Sequence, residues 1–134
     1  MANLTAARED LRKDDDLIAF QVKAATTIFK GAIVGVDATG YAKPAAPADK
    51  RIVGIAYEGS NNTIGANGAT LVRVIRKGSV VLNAAGITQA NIGDKVYVTD
   101  DNTVTTVSTG SIQVGVIDEV LSATTVRVAL TANI

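Results

Sequence analysis

From Leu17 onward, short runs rich in Val, Ile and Thr alternate with clusters of Gly, Asn, Asp and Pro. β-Branched side chains are stiff against a helical turn but pack well on a pleated surface, so such runs bounded by turn residues are the pattern of an all-β domain. Strands are expected at residues 18–22, 32–36, 40–43, 52–57, 71–75, 79–82, 95–99, 103–107, 113–120 and 125–130. The turn chemistry agrees. Asp37-Ala38-Thr39-Gly40 ends on a residue able to take the left-handed conformation, and Asp100-Asp101-Asn102 joins the corresponding later pair. The one helical candidate beyond residue 16 is a single capped turn at 88–93, closed by a glycine. Segments 44–47 and 59–68 read as loops, the second long enough to carry an interaction.

These runs also echo one another. Ile33-Val34-Gly35-Val36-Asp37, a turn, a second strand and then Ile52-Val53-Gly54-Ile55-Ala56-Tyr57-Glu58 return as Lys95-Val96-Tyr97-Val98-Thr99, a turn, residues 103–107 and Gln113-Val114-Gly115-Val116-Ile117-Asp118-Glu119. Val34 and Val96 lie 62 positions apart, Val53 and Val114 lie 61 apart, and Leu71-Val72-Arg73-Val74 matches Thr125-Val126-Arg127-Val128 at 54. The shortfall falls where 59–68 is long and 121–124 is short. Two pseudo-repeated three-strand units, 32–75 and 94–130, would each expose an apolar face, and pairing them gives one small antiparallel β-barrel or sandwich.

Composition narrows the chemistry. The chain has 134 residues, 13 basic and 13 acidic side chains, and no His, Cys or Trp. Zinc, copper and haem sites and Ser-His-Asp or Cys-His catalysis all lack their ligands or bases, which leaves oxygen-ligand metals as the open class. A balanced net charge argues against generic nucleic-acid binding. No run approaches the length of a membrane span, so neither a membrane nor a nucleic-acid partner is expected. Eight of the 26 charged residues lie in positions 1–16, which sets a charged N-terminal arm (1–16) apart from a β domain (17–134). A short helix within residues 4–11, capped by Thr5, would be marginal alone.

Candidate chemical constellations weigh toward structure. Asp14-Asp15-Asp16 on an arm lacks the rigid backbone and desolvation that make carboxylates useful. The 100–102 turn lacks the glycine and terminal glutamate of a calcium loop. Gly65-Ala66-Asn67-Gly68 opens a strand, has no lysine before its Thr and is not a phosphate loop. Arg73, Arg76 and Lys77, with Lys50 and Arg51, fit a solvated face or a partner rim. Tyr41, Tyr57 and Tyr97 are scattered and read as core-edge residues. No catalytic residue, cofactor or metal site is expected. A carbohydrate- or host-surface-binding module would use the exposed Asn and Thr of the long loop, although few aromatic platforms are present to stack on sugars. A carboxylate hydrolase would need two buried acids facing one another.

Thr26-Thr27-Ile28-Phe29-Lys30-Gly31-Ala32-Ile33-Val34-Gly35-Val36-Asp37-Ala38-Thr39-Gly40-Tyr41-Ala42-Lys43-Pro44-Ala45 resembles the opening of tailed-bacteriophage capsid cement, or head decoration, proteins. The likeness continues through Ile52-Val53-Gly54-Ile55-Ala56-Tyr57-Glu58-Gly59 and Gly65-Ala66-Asn67-Gly68-Ala69, then Val72-Arg73-Val74 and Lys77-Gly78. It resumes at residues 92–104 and at Gln113-Val114-Gly115-Val116, covering about 26–130 in order and sparing the arm. The resemblance implies a non-enzymatic protein, made in the host cytoplasm, that sits on the capsid exterior of the virion. There it would act as a trimer, binding the major capsid protein and bridging its subunits. Contacts are expected from the arm, at Arg8, Arg12 and Lys13, because charged tips suit interface rims, and from the long loop, at Asn61, Asn62 and Asn67.

Overall fold

In the computed structural model, the described residues are 2–3, 5–7 and 16–131. They form β1 (Leu17–Gln21), β2 (Thr26–Ile28), β3 (Ile33–Val36), β4 (Ala42–Pro44), β5 (Arg51–Ala56), β6 (Ser60–Asn62), β7 (Leu71–Ile75), β8 (Ser79–Asn83), β9 (Lys95–Val98), β10 (Val104–Thr105), β11 (Gln113–Ser122) and β12 (Thr125–Leu130). The protein is all-β, as the alternation of short runs requires. Among the described residues one 3-10 turn, Gln89–Asn91, stands where a capped turn is expected, with the Thr88 N–H donating to Asn91 Oδ1 at 2.9 Å. Of the segment 4–11, only residues 5–7 are described, and they are not helical; the rest lies outside the described residues.

Two five-stranded antiparallel sheets carry the fold, in the orders β1-β7-β5-β3-β4 and β10-β9-β11-β12-β8. Each sheet curls until its edge strands meet end to end, through a parallel bridge from Val22 to Ala42 in one and from Asn83 to Thr103 in the other. The two orders are the same topology. Advancing β3, β4 and β1 by 62 positions, β5 by 61 and β7 by 54 gives β9, β10, β8, β11 and β12. The matched runs already fall on four strands of each unit, β3, β4, β5 and β7 against β9, β10, β11 and β12, so the repeat read as three-stranded is a five-strand one. β1 and β8 belong to it, although LIAFQ and SVVLN share too little for the match to stand out.

The equivalence extends to single hydrogen bonds. Val22 N–H donates to Thr70 O and Ala84 N–H to Thr124 O, each at 3.0 Å; Gly31 N–H donates to Ala56 O and Gly93 N–H to Ile117 O, each at 2.9 Å. Arg76 N–H to Asp16 O and Leu130 N–H to Gly78 O form another such pair, both at 2.9 Å. Gly54 and Gly115 hold the same place beside a register shift. A Cβ on Gly54 would lie 2.2 Å from Ile75 O, and one on Gly115 would lie 2.0 Å from Ala129 O, so neither unit tolerates a side chain there.

Two apolar clusters fill the units. Val22, Ile28, Val34, Val53, Val72 and Val74 lie within the first, and Leu82, Val96, Val98, Val114, Ile117, Val126 and Val128 within the second. Ile33, Ala45, Ile52 and Ile55 belong to the first unit by sequence but join the second unit's cluster, and Ile33 N–H donates to Asp101 O at 2.7 Å. Their counterparts in the second unit are Lys95, Val107, Gln113 and Val116, none of them buried. Alternate residues of one sheet thus face two cores: inward to their own unit, outward to the neighbour. Burying the three isoleucines at the junction stabilises it by roughly 5–9 kcal/mol before the ordering entropy is charged against it.

Candidate interaction surface

The clearest difference between the units is segment 59–68, which has no counterpart in the second unit, where β11 runs through a tight turn into β12. Sequence reading makes this a loop. The structure adds two strands that it misses, because β6 pairs with β2 in the register Thr26↔Asn62, Thr27↔Asn61 and Ile28↔Ser60. Ser-Asn-Asn has weak strand propensity, and Thr-Thr-Ile, although β-branched, is too short to stand out as a run, so only pairing with a partner more than thirty positions away marks them as strands.

The loop is fastened at several points. Asn62 Nδ2 donates to the carbonyls of Val22, Lys23 and Ala66 at 3.2, 3.0 and 3.0 Å, and its side chain is buried. That removes Asn62 from the expected surface contacts: its amide satisfies backbone acceptors inside the fold. Gly65 lies against it, since a Cβ there would come within 2.1 Å of Asn62 Oδ1. Asn67 Oδ1 accepts from Ala24 N–H at 2.8 Å, and Gly68 N–H donates to Val22 O at 2.9 Å. Asn61 Oδ1 accepts from both the N–H and the hydroxyl of Thr63. Asn61 and Asn67 are exposed, and Arg8, Arg12 and Lys13 lie outside the described residues.

At the tip of this fastened loop Ile64 is fully exposed, and Leu71, which follows the loop, is 57% exposed. Neither is demanded by the fold. Thr125 occupies the position of Leu71 in the second unit, opposite Asn83 as Leu71 is opposite Gln21, and Ile64 has no counterpart at all. Elsewhere on the first unit, Leu17, Phe29 and Tyr57 are exposed where the second has Ser79, Asn91 and Asp118. The second unit in turn exposes Val81, Ile92 and Val107, where the first has Ala19, Lys30 and buried Ala45, and exposes Leu121 at the end of β11, ahead of the tight turn that stands in place of 59–68. An internal duplicate is a control for what the architecture needs, and exposed apolar side chains present in one copy alone lie outside that need.

Charge is divided in the same way. Residues 16–77 carry eight basic and four acidic side chains, and residues 78–131 carry two and five. Arg73 grips Glu58 through two hydrogen bonds of 2.7 and 2.9 Å and lies 5.1 Å from the Tyr57 ring centroid. The second unit repeats the pair as Arg127 and Glu119 at 3.2 Å. The hydrogen bond from Arg73 holds Glu58 below the usual carboxylate range and raises Arg73 above its own. Asp37 accepts from the Thr39 hydroxyl and from the N–H groups of Thr39 and Tyr41, and lies 3.4 Å from Lys23. The Thr39 hydroxyl is the main reason its carboxyl sits far below the ordinary range.

The other residues singled out from sequence stay local. Asp16 pairs with Lys77 at 3.4 Å, and Asp100 caps its own turn by accepting from Asn102 N–H. Among the described residues no group of three or more His, Cys, Asp or Glu side chains is placed to hold a metal ion. A groove of about 510 Å³, lined by residues that include Lys30, Gly31, Ile55, Tyr57, Glu58 and Ile75, adjoins the junction of the two units. Comparison with protein-family models, with curated proteins and with solved structures gives no match.

Proposed function

We propose that the protein is a non-enzymatic capsid decoration protein that binds the outside of a bacteriophage head and stabilises contacts between major capsid subunits. The observation that carries the reading is the 59–68 insertion. It is held by β2, Asn62 and Asn67, and it raises Ile64 into solvent, with Leu71 exposed where the chain enters β7. A preorganised loop loses little entropy on docking, and an aliphatic tip buried in a partner's pocket contributes most of its energy there. The sequence likeness over residues 26–130 supplies the partner, the capsid exterior, and trimeric assembly as the state to test. The weakly charged, small-residue β body suits a part that spends its life assembled.

The test is binding of the purified chain to mature heads that lack it, read by co-sedimentation and by resistance of the heads to heat and to chelation. Wild type should bind and protect. Ile64→Asn with Leu71→Thr, the latter installing the second unit's own residue, should weaken binding at least tenfold with the fold intact. Failure of wild type to bind or protect refutes the reading.

A further inference from the structure

We propose that a second copy of this chain docks against the Lys30–Tyr57 face of the first unit, using the Ile92–Asp118 face of its own second unit. This goes beyond the capsid reading and stands without it. The two faces are the same place on the two repeats. In the first unit Lys30 and Tyr57 line one groove around Gly31, where Gly31 N–H meets Ala56 O. In the second, Ile92 and Asp118 flank Gly93, where Gly93 N–H meets Ile117 O. All four side chains are exposed.

What differs is the order of charge and apolar surface. The first unit has a cation at 30 and an aromatic ring at 57; the second has an aliphatic side chain at 92 and a carboxylate at 118. Between the two copies this contact is heterologous, but the two faces are equivalent places on the repeats, and a local pseudo-two-fold axis between one copy's first unit and the other copy's second sets position 30 against 118 and position 57 against 92. Lys30 then meets Asp118, and Tyr57 meets Ile92. Both pairs are complementary, one by charge and one by apolar contact. The opposite signs of the two units, eight basic to four acidic against two to five, favour the same pairing over that of like units. Glu58 and Glu119, which also lie on these faces, are neutralised by Arg73 and Arg127 of their own units. Gly31 and Gly93 have no side chain to hold the surfaces apart, and a Cβ built on either would meet nothing within 4 Å. Among the described residues Lys30 and Asp118 make no ion pair within the chain, so the contact breaks none.

Sedimentation equilibrium of the purified chain, at low and high salt and without heads, tests this. Wild type should show mass above the 13.8 kDa of one copy, falling toward it as salt rises. Lys30→Glu and Asp118→Lys should each weaken self-association about tenfold or more, and the double variant should recover to within about threefold of wild type. Circular dichroism checks that these surface changes leave the fold intact. A wild-type chain that stays at single-copy mass overturns the inference, as do single variants without effect or a double variant as weak as either single. A chain that binds heads as a monomer overturns this contact and leaves the capsid reading standing; one that self-associates through these residues but ignores heads does the reverse.

Discussion

Replacing Gly115 by alanine would put a methyl carbon 2.0 Å from Ala129 O and 2.7 Å from Val128 Cγ1, inside the β11–β12 ladder. Backbone oxygen cannot rotate away as a side chain would, so the strands must part locally. Overpacking of this kind costs about 1–3 kcal/mol. Displacing two ladder hydrogen bonds adds roughly 0.5–1.5 kcal/mol each. The sum is about 4 kcal/mol, a large share of the roughly 5–15 kcal/mol available to a domain of this size. Urea denaturation followed by far-UV circular dichroism measures it as a lower midpoint at unchanged slope. Gly110→Ala is the matched control: its φ of +69° strains an L-residue, but nothing lies within 4 Å of the added carbon, and the expected cost is about 1 kcal/mol. Gly54→Ala should be at least as severe as Gly115→Ala, because it combines the 2.2 Å approach to Ile75 O with a φ of +140°. If Gly115→Ala destabilises no more than Gly110→Ala, the close-approach reasoning, and the matched roles of the two glycines, are wrong.

Asn62→Ala removes the buried amide donor from three carbonyls, of which Val22 O and Ala66 O keep the N–H groups of Gly68 and Ala69 and Lys23 O loses its partner, and should cost about 1–3 kcal/mol by denaturation, whereas Asn61→Ala, which removes only exposed local turn bonds, should cost under about 1. Asp49→Ala strips the 2.7 Å partner from Lys43 and the acceptor from Ala46 N–H; with the Asp49 side chain only 5% exposed, the loss should be about 2 kcal/mol by the same measurement. The carboxyls of Asp37 and Glu58 both titrate lower when folded, so their stabilisation is present above the unfolded pKa and is lost as pH falls through the folded one. Stability should therefore decline below a pH of about 4. Asp37→Asn should flatten that decline, and an unchanged acid profile in the variant would argue against the Thr39 turn as its source.

Much of the fold can be read before any coordinates. Val, Ile and Thr in short runs, bounded by Asp37–Gly40 and residues 100–102, mark nearly all the strands, because branching at Cβ and turn geometry are local properties. The repeat is visible where Val34, Val53 and Val72 face inward and return as Val96, Val114 and Val126, since core positions tolerate little change. It is hidden at β1 and β8, where only alternation is shared. β2 and β6 are missed for a different reason: Thr-Thr-Ile is β-branched but only three residues long, Ser-Asn-Asn reads as turn, and the pairing that joins them spans more than thirty positions.

The candidate surface divides along the same line. That segment 59–68 is an extra piece of chain follows from the unequal spacings of the repeat, which are arithmetic on the sequence. That Asn62 faces inward while Asn61 and Asn67 face outward does not follow, since three asparagines in one loop are chemically alike until a backbone surrounds one of them. Likewise, a net charge of zero is a property of composition, but its partition into a basic first unit and an acidic second one has meaning only once two units exist. The sequence alone determines an all-β, duplicated chain, because side-chain shape and local turn preference act over a few residues. Which side chains are buried at the junction, as Ile33, Ile52 and Ile55 are, and which are left exposed, as Lys30, Ile64 and Leu71 are, is decided by tertiary packing. Burial depends on neighbours that arrive from distant parts of the chain.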